Sequence, residues 1–351
     1  MKASELIDKY QQWISYIQGN QDLEVTGTDH AGTDRPNSLV FASDEKDLDR
    51  ALKGTATLIV VPEKLSSLAE QKISADSQCL AASKNVRLAM ARINDAQFKY
   101  KLENHEWGEE NIHPSSYVHP TAQIGNLVRI GPNSSIGAHV TIGAHTTVGA
   151  NTTIGAHSSI GEECEIHSQV YISHHCEIGN RCEVHPQSSV GTEGFGYADD
   201  KNFDHYRVPH FGKSILQDDV HIGSGVNLDR GTFKDSIIRR GTKVDNHCHF
   251  GHNHDIGENC LITAGFILAG STTIGNNFVC GGRTSVAGHI HVTDNVQISA
   301  LTAITKSLDE SGAFGGYPIL KHRDAIRAYS TLPHLPEMRK MLKKIMKKLE
   351  L

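Results

Sequence analysis

From Ile112 onward an aliphatic residue returns at every sixth position: Val118, Ile124, Ile130, Ile136, Ile142, Val148, Ile154, Ile160, Ile166, Ile172, Ile178, Val184 and Val190. Small residues fill most of the places between, with Gly following many of the aliphatics, as in Ile136-Gly137 and Ile142-Gly143. After a break the spacing resumes at Leu216, Ile222 and Leu228 and changes phase once between Gly231 and Ser236. It then runs from Ile238 to Ile304, with Cys280 out of type. A period of six is neither the 3.6 of a helix nor the two of a plain strand. It predicts a short strand, a tight turn and another short strand, three sides to a coil: a parallel β-helix over residues 106–306. Each aliphatic points inward and stacks on equivalents roughly 18 residues away, giving about ten coils. A single coil cannot bury its inner face, so stability comes from stacked neighbours.

The flanks read differently. Ser4 to Ile17 has the spacing of an amphipathic helix, Leu39-Val40-Phe41 and Ala56 to Val61 read as strands, and Leu88 to Ile93 as helix. Residues 1–105 are therefore expected to form a small α/β domain, ending near Asn104. Residues 307–351 are expected to be a helical extension. In it Leu335, Met338, Leu342, Ile345 and Leu349 fall on one face, with Arg339, Lys340, Lys343, Lys344, Lys347 and Lys348 on the other.

Composition narrows the function classes. A net charge of −6 argues against nucleic acid as the main partner, since a phosphate-binding surface needs positive charge. No stretch is apolar for the length of a membrane helix, so no span is expected, and Met1 to Leu6 does not read as a signal peptide. Seven cysteines without a CxxC pair suit reduced thiols in a cytoplasmic protein. The few aromatics, 6%, and the 32 glycines suit a repeat protein with tight turns.

The densest polar cluster runs from Asp245 to Asp255 and holds His247, His249, His252 and His254. Phe250 is the inward position, so His252 lies two places on, at a turn. One coil beyond His252 is Gly270, and a second coil reaches Gly288, directly before His289. The count therefore stacks His252, Gly270 and His289 along one edge of the prism. A neutral imidazole beside a backbone N–H free to bind an oxyanion suits acyl transfer; the alternative is solvated turn histidines in a chain with 22 of them. His139, His157 and His175 also follow one another at one-coil intervals, as do His167 and His185. Such vertical ladders converge poorly on a zinc ion within one chain. Cys164 and Cys182, one coil apart, read as packing. Gly191 to Tyr197 (GTEGFGY) is no dinucleotide fingerprint, because no crossover helix follows; its glycines are expected to shape a loop over a neighbouring site.

These residues resemble a known family, the UDP-3-O-(3-hydroxyacyl)glucosamine N-acyltransferases of lipid A biosynthesis. The likeness runs through Val25-Thr26-Gly27, Phe41, Ile59-Val60-Val61, Gly194-Phe195-Gly196-Tyr197-Ala198, Asp245-Asn246, His252-Asn253, Ala269-Gly270-Ser271, Gly288-His289, Gly316-Tyr317-Pro318 and His322-Arg323. The resemblance implies a left-handed β-helix, mainly β overall, preceded by a uridine-binding-type α/β domain and followed by C-terminal helices. It implies His252 as general base, Gly270 as oxyanion donor, His289 as a second active-site histidine, and Asp245 and Asn246 as polar residues lining the site. It further implies acyl carrier protein as donor, an acidic partner for the basic C-terminal helix, a UDP-sugar acceptor, a homotrimer with sites between subunits, and no cofactor. In the nucleotide domain the chain departs from the family. Phe41 can stack on uracil, but Asp44 and Asp47 stand where the family usually has Asn and Tyr; Asp44 is the substitute candidate for the uracil N–H. Three alternatives follow: a paralogue acting on another nucleotide sugar, a zinc carbonic anhydrase-like β-helix protein, or a non-catalytic β-helix scaffold.

Overall fold

The computed structural model describes residues 1–100, 107, 111–315 and 322–349. Asn104 and the stretch Gly316-Tyr317-Pro318 lie outside the described residues. The chain divides into two compact units, Met1–Lys101 and Leu102–Leu351.

In the first unit, runs of buried apolar residues build a five-stranded sheet in the order β1-β5-β4-β3-β2. The strands are β1 (Ser15–Gly19), β2 (Gly27–Asp29), β3 (Ser38–Phe41), β4 (Leu58–Pro62) and β5 (Cys79–Ser83), all parallel except β1. Leu39, Leu58, Val60 and Ala81 face α1 (Ala3–Lys9) and α4 (Val86–Gln97). Val40, Ile59, Val61 and Leu80 face α2 (Glu45–Lys53) and α3 (Ser66–Glu70) on the opposite side. Both faces being covered is why these strands read as unbroken apolar runs. The helix expected from Ser4 to Ile17 stops at Lys9. The segment after it turns at Tyr10, whose carbonyl accepts from the Trp13 and Ile14 N–H groups, and becomes the edge strand β1. Ile14 and Ile17 then serve opposite faces of the sheet, which mimics helical spacing.

The second unit is a left-handed parallel β-helix. Among the described residues, three sheets of ten, ten and nine strands form its faces. The first begins at Arg129–Ile130, the second at Tyr117–Val118 and the third at Gln123–Ile124, and the chain visits them in the order first, second, third. Most strands hold a pair of residues, the second facing inward, and each pairs in register with the strand one coil away, as Thr141 does with Ser159. The inward residues from Ile130 to Ile304 are buried, with Phe250, Phe266 and Phe278 packed ring to ring at 5.4 and 6.3 Å. Each such side chain stabilises the stack by about 1.5–3 kcal/mol through burial.

The corners carry their own period. A left-handed residue recurs every six positions, from Leu127 through Asn133, His139, His145, Asn151, His157, Glu163, Gln169, His175 and Arg181 to Gln187. An ordinary L-residue loses about 1–2 kcal/mol there, while Asn and His tolerate the region better. This explains the longer histidine ladder: His139, His157 and His175 occupy equivalent left-handed corner sites, and their rings stack at 4.9 and 4.8 Å. Corner carbonyls are capped by buried hydroxyls of the coil before, such as Ser134 onto Gly149 and Thr146 onto Gly161.

Two coils are longer than the rest. Glu177 pairs with Ile215, and Ser214 with Ser236, both reaching beyond the ordinary coil. These insertions, residues 193–213 and 230–235, account for the break and the phase change in the repeat. Both leave the second face and return to the third, so both emerge at the same edge.

The C-terminal segment forms α5 (His322–Thr331) and α6 (Leu335–Lys348). The apolar face of α6 is uncovered in the single chain, with Leu342 and Ile345 58% and 53% exposed.

Candidate active site

The edge between the second and third faces is built from the turns that follow Phe250, Leu268 and Val286. His252 and Gly270 each stand two places past the inward position, and His289 stands one further. Backbone bonds weld the turns together: Ser271 N–H donates to the His252 carbonyl at 2.8 Å, and His289 N–H to the Gly270 carbonyl at 3.2 Å. The His252 ring lies directly over Gly270. A Cβ at Gly270 would come within 2.6 Å of its Cε1 and 2.9 Å of Nδ1 and Nε2. The Gly270 N–H makes no hydrogen bond among the described residues. His252, Gly270 and His289 are thus brought together on one edge.

Burial, then the neighbouring His210 and His289, push the His252 imidazole below its ordinary value, which favours the neutral form. Beneath it His254 is fully buried, its Nδ1 in contact with the Gly251 carbonyl at 2.8 Å. Burial depresses His254 to about 4 from an ordinary 6.5. The unfolded chain takes up this proton as pH falls through 6.5, whereas the folded chain does not until about 4. Stability present above that window should therefore fall by about 3 kcal/mol across it. Denaturant melts at pH 7.5 and 4.5 check this; a His254→Gln variant with the same pH dependence would assign the loss elsewhere.

The insertions and the strand end beside them add residues that no spacing in the sequence singles out. His210 is buried and meets His252 edge-on, ring centroids 5.2 Å apart. Asp229, also buried, accepts from the Thr192 hydroxyl at 3.1 Å and lies 3.9 Å from the His249 imidazole. Burial pushes its carboxyl up, against the opposing pull of His249 and His210. Arg230 is fully buried and donates to the Gly191 carbonyl at 2.8 Å and the His174 carbonyl at 2.5 Å. It thereby pins the loop where it leaves the coil. Gly191 there has φ +80°, and a Cβ on it would strike the Cys176 Sγ at 2.3 Å. The signal that could have found these residues was coil length, which outruns the repeat from Glu177 to Ile215 and again from Ser214 to Ser236.

Other expected site residues lie elsewhere. Asp245 and Asn246 sit on the edge between the first and second faces. There Asp245 accepts from the Asn246 and Ala264 N–H groups, and Asn246 from the Ser224 N–H. Within one chain they do not join His252. Phe41 ends β3 half-buried. Asp44 is the N-cap of α2, its carboxylate accepting from the Asp47 N–H at 2.8 Å, and Asp47 lies 3.7 Å from Arg50. Among the described residues, no cluster of three His, Cys, Asp or Glu is placed to hold a metal ion. All seven cysteines are free thiols, and no described helix is long and apolar enough to cross a membrane.

Residues 112–233 match the family model described as the GMPPB C-terminal domain. The UDP-3-O-acylglucosamine N-acyltransferase of Campylobacter lari is 41% identical over 138 residues, 39% of this chain and 43% of that protein. The enzyme of that name from Wolinella succinogenes is 33% identical over 172 residues, covering 49% and 54% of the two chains. The one from Helicobacter hepaticus is 38% identical over 165 residues, covering 47% and 49%. The chain thus spans about half the length of the curated relatives it matches. A solved Arabidopsis UDP-N-acetylglucosamine acyltransferase shares the fold, with a TM-score of 0.53 at 20% identity over 58% of this chain and 71% of that one.

Proposed function

We propose that the protein is a cytoplasmic N-acyltransferase of lipid A synthesis. It would move a 3-hydroxyacyl chain from the thioester of acyl carrier protein to the 2-amine of UDP-3-O-acylglucosamine. The observation that carries this reading is the His252 imidazole lying over Gly270, whose backbone N–H is uncommitted among the described residues. The amine lone pair attacks the thioester carbonyl carbon, and His252 takes the proton that the nitrogen sheds. The Gly270 N–H receives the carbonyl oxygen as it becomes an oxyanion. Collapse breaks the C–S bond, and the proton on His252 passes to the leaving thiolate. A thioester is already activated, so one base, one oxyanion donor and good positioning are enough, without a covalent intermediate.

The placement of Asp245 and Asn246 supports a homotrimer. Their edge and the His252 edge are the two borders of the second face. When three parallel prisms turn that face to a common threefold axis, the Asp245 edge of one copy meets the His252 edge of the next. Leu261, Val279 and Ile267, 50%, 37% and 53% exposed, flank the Asp245 edge as the apolar surface such a contact would cover. The basic, uncovered α6 suits an acidic carrier protein, and Phe41 offers an aromatic surface to the base of the UDP-sugar. Because the Asp44 carboxylate already caps a helix, a different nucleotide sugar is the second reading.

Purified protein, given 3-hydroxyacyl carrier protein and UDP-3-O-acylglucosamine, should release free carrier thiol in proportion to acceptor. Thiol release that needs another nucleotide sugar would favour the second reading. No acceptor-dependent release with either would overturn both.

A further inference from the structure

We propose that His210, delivered by the loop insertion, is a positioning residue that holds the His252 ring over Gly270. The inference rests on the reading of His252 as the base and extends it to a residue outside the repeat.

The backbone that carries His210 is bonded within its loop and, through the second insertion, to the His252 turn. The Val208 N–H donates to the Gly196 carbonyl at 2.9 Å, and the Phe211 N–H to the Thr232 carbonyl at 2.8 Å, so the backbone is clamped on both sides of His210. Thr232 belongs to the second insertion, and its own N–H donates to the Asn253 Oδ1 at 2.7 Å. Asn253 directly follows His252. The chain of contacts His210–Phe211–Thr232–Asn253–His252 therefore closes a ring between loop and turn. Gly194 threads between the two imidazoles: a Cβ there would lie 2.7 Å from His252 Cβ and 2.8 Å from His210 Nε2. With the rings 5.2 Å apart at an interplanar angle of 77°, His210 walls off one side of the base while Gly270 lies under the ring.

Neither His210 ring nitrogen has a hydrogen-bond partner among the described residues, although both are buried. Leaving such groups unpaired costs stability, and a core position of this kind would be served better by an apolar ring. A histidine here is therefore explained by its neighbour. Its polar ring faces His252 together with His289, with His254 on the same turn and Asp229 and His249 beyond His210.

The test compares His210→Ala and His210→Phe in the full-length protein, with two readouts. The first is kcat and KM for acyl transfer. The second is the pH dependence of His252 carbethoxylation by diethyl pyrocarbonate, read by peptide mass spectrometry; only the neutral imidazole reacts. His210→Ala should lower kcat roughly 10–100-fold, the scale of a misplaced catalytic group, with KM nearly unchanged. It should also move the His252 midpoint to higher pH. His210→Phe, which restores the ring without its polar atoms, should recover most of kcat while the His252 midpoint stays raised as in His210→Ala. Wild-type kcat and an unmoved midpoint in His210→Ala would overturn the proposal. So would a folded His210→Phe that is no more active than His210→Ala. The modification arm needs no substrate, so an inactive wild-type protein would sink the acyl-transfer reading while leaving this measurement intact.

Discussion

His252→Ala should lower acyl transfer by about 10²–10⁴-fold, the contribution of a positioned general base, with no comparable loss of stability. His252 is only partly buried, stands at a corner rather than inside the coil, and contributes its carbonyl, not its ring, to the bond with Ser271. Removing the imidazole leaves the stack of Phe250, Leu268 and Val286 untouched. The pH profile supplies a second check. The base must be neutral to accept a proton, and burial, then His210 and His289, place its titration below the ordinary 6.5. Activity should therefore hold flat through pH 7 and fall as pH drops through that lowered value. The acid limb should be absent from the residual activity of His252→Ala. Full activity in the variant would remove His252 as base and leave the edge as scaffold.

How much of this could be read from the chain depends on whether a residue obeys a period. The inward aliphatics do, because every coil must fill the same triangular interior, and so the coil count alone places His252, Gly270 and His289 on one edge. The corner histidines also obey one, but their cause was hidden: a left-handed backbone site at every sixth residue, which His139, His157 and His175 fill. His210, Asp229 and Arg230 obey none. His210 and Arg230 ride on the insertions and Asp229 ends the strand just before the second one, bonded to Thr192 and beside His249, and nothing in their spacing reports that. In the first unit, local spacing misled: Ile14 and Ile17 have helical separation, yet strand pairing with β5 won. Asp44 shows the limit of matching positions, since its carboxylate is committed to the α2 N-terminus. Asp245 and Asn246 show the limit of a single chain, because they and His252 lie on different edges.

Gly270→Ala tests the core of the site most sharply, since it adds one methyl and removes no functional group. The backbone itself accepts alanine at this corner: Ala138 and Ala156 occupy the equivalent places two positions past Ile136 and Ile154. Gly270 is not in the left-handed region, so no backbone strain is introduced. What the methyl meets is the His252 ring, at 2.6 to 2.9 Å from three of its atoms. The ring must swing away, and a base displaced by about 1 Å loses on the order of 10²-fold in rate. The backbone N–H of the substituted residue would still be there to receive an oxyanion, so a loss of that size reports on the base alone. The decisive comparison is the double variant. With His252 already alanine the methyl has nothing to strike, so Gly270→Ala should add almost no further loss. The two substitutions should thus be strongly non-additive, as expected for residues that act as a unit. Additive losses would mean that Gly270 acts independently of the imidazole, through its backbone N–H or through an approach of substrate too close for any side chain.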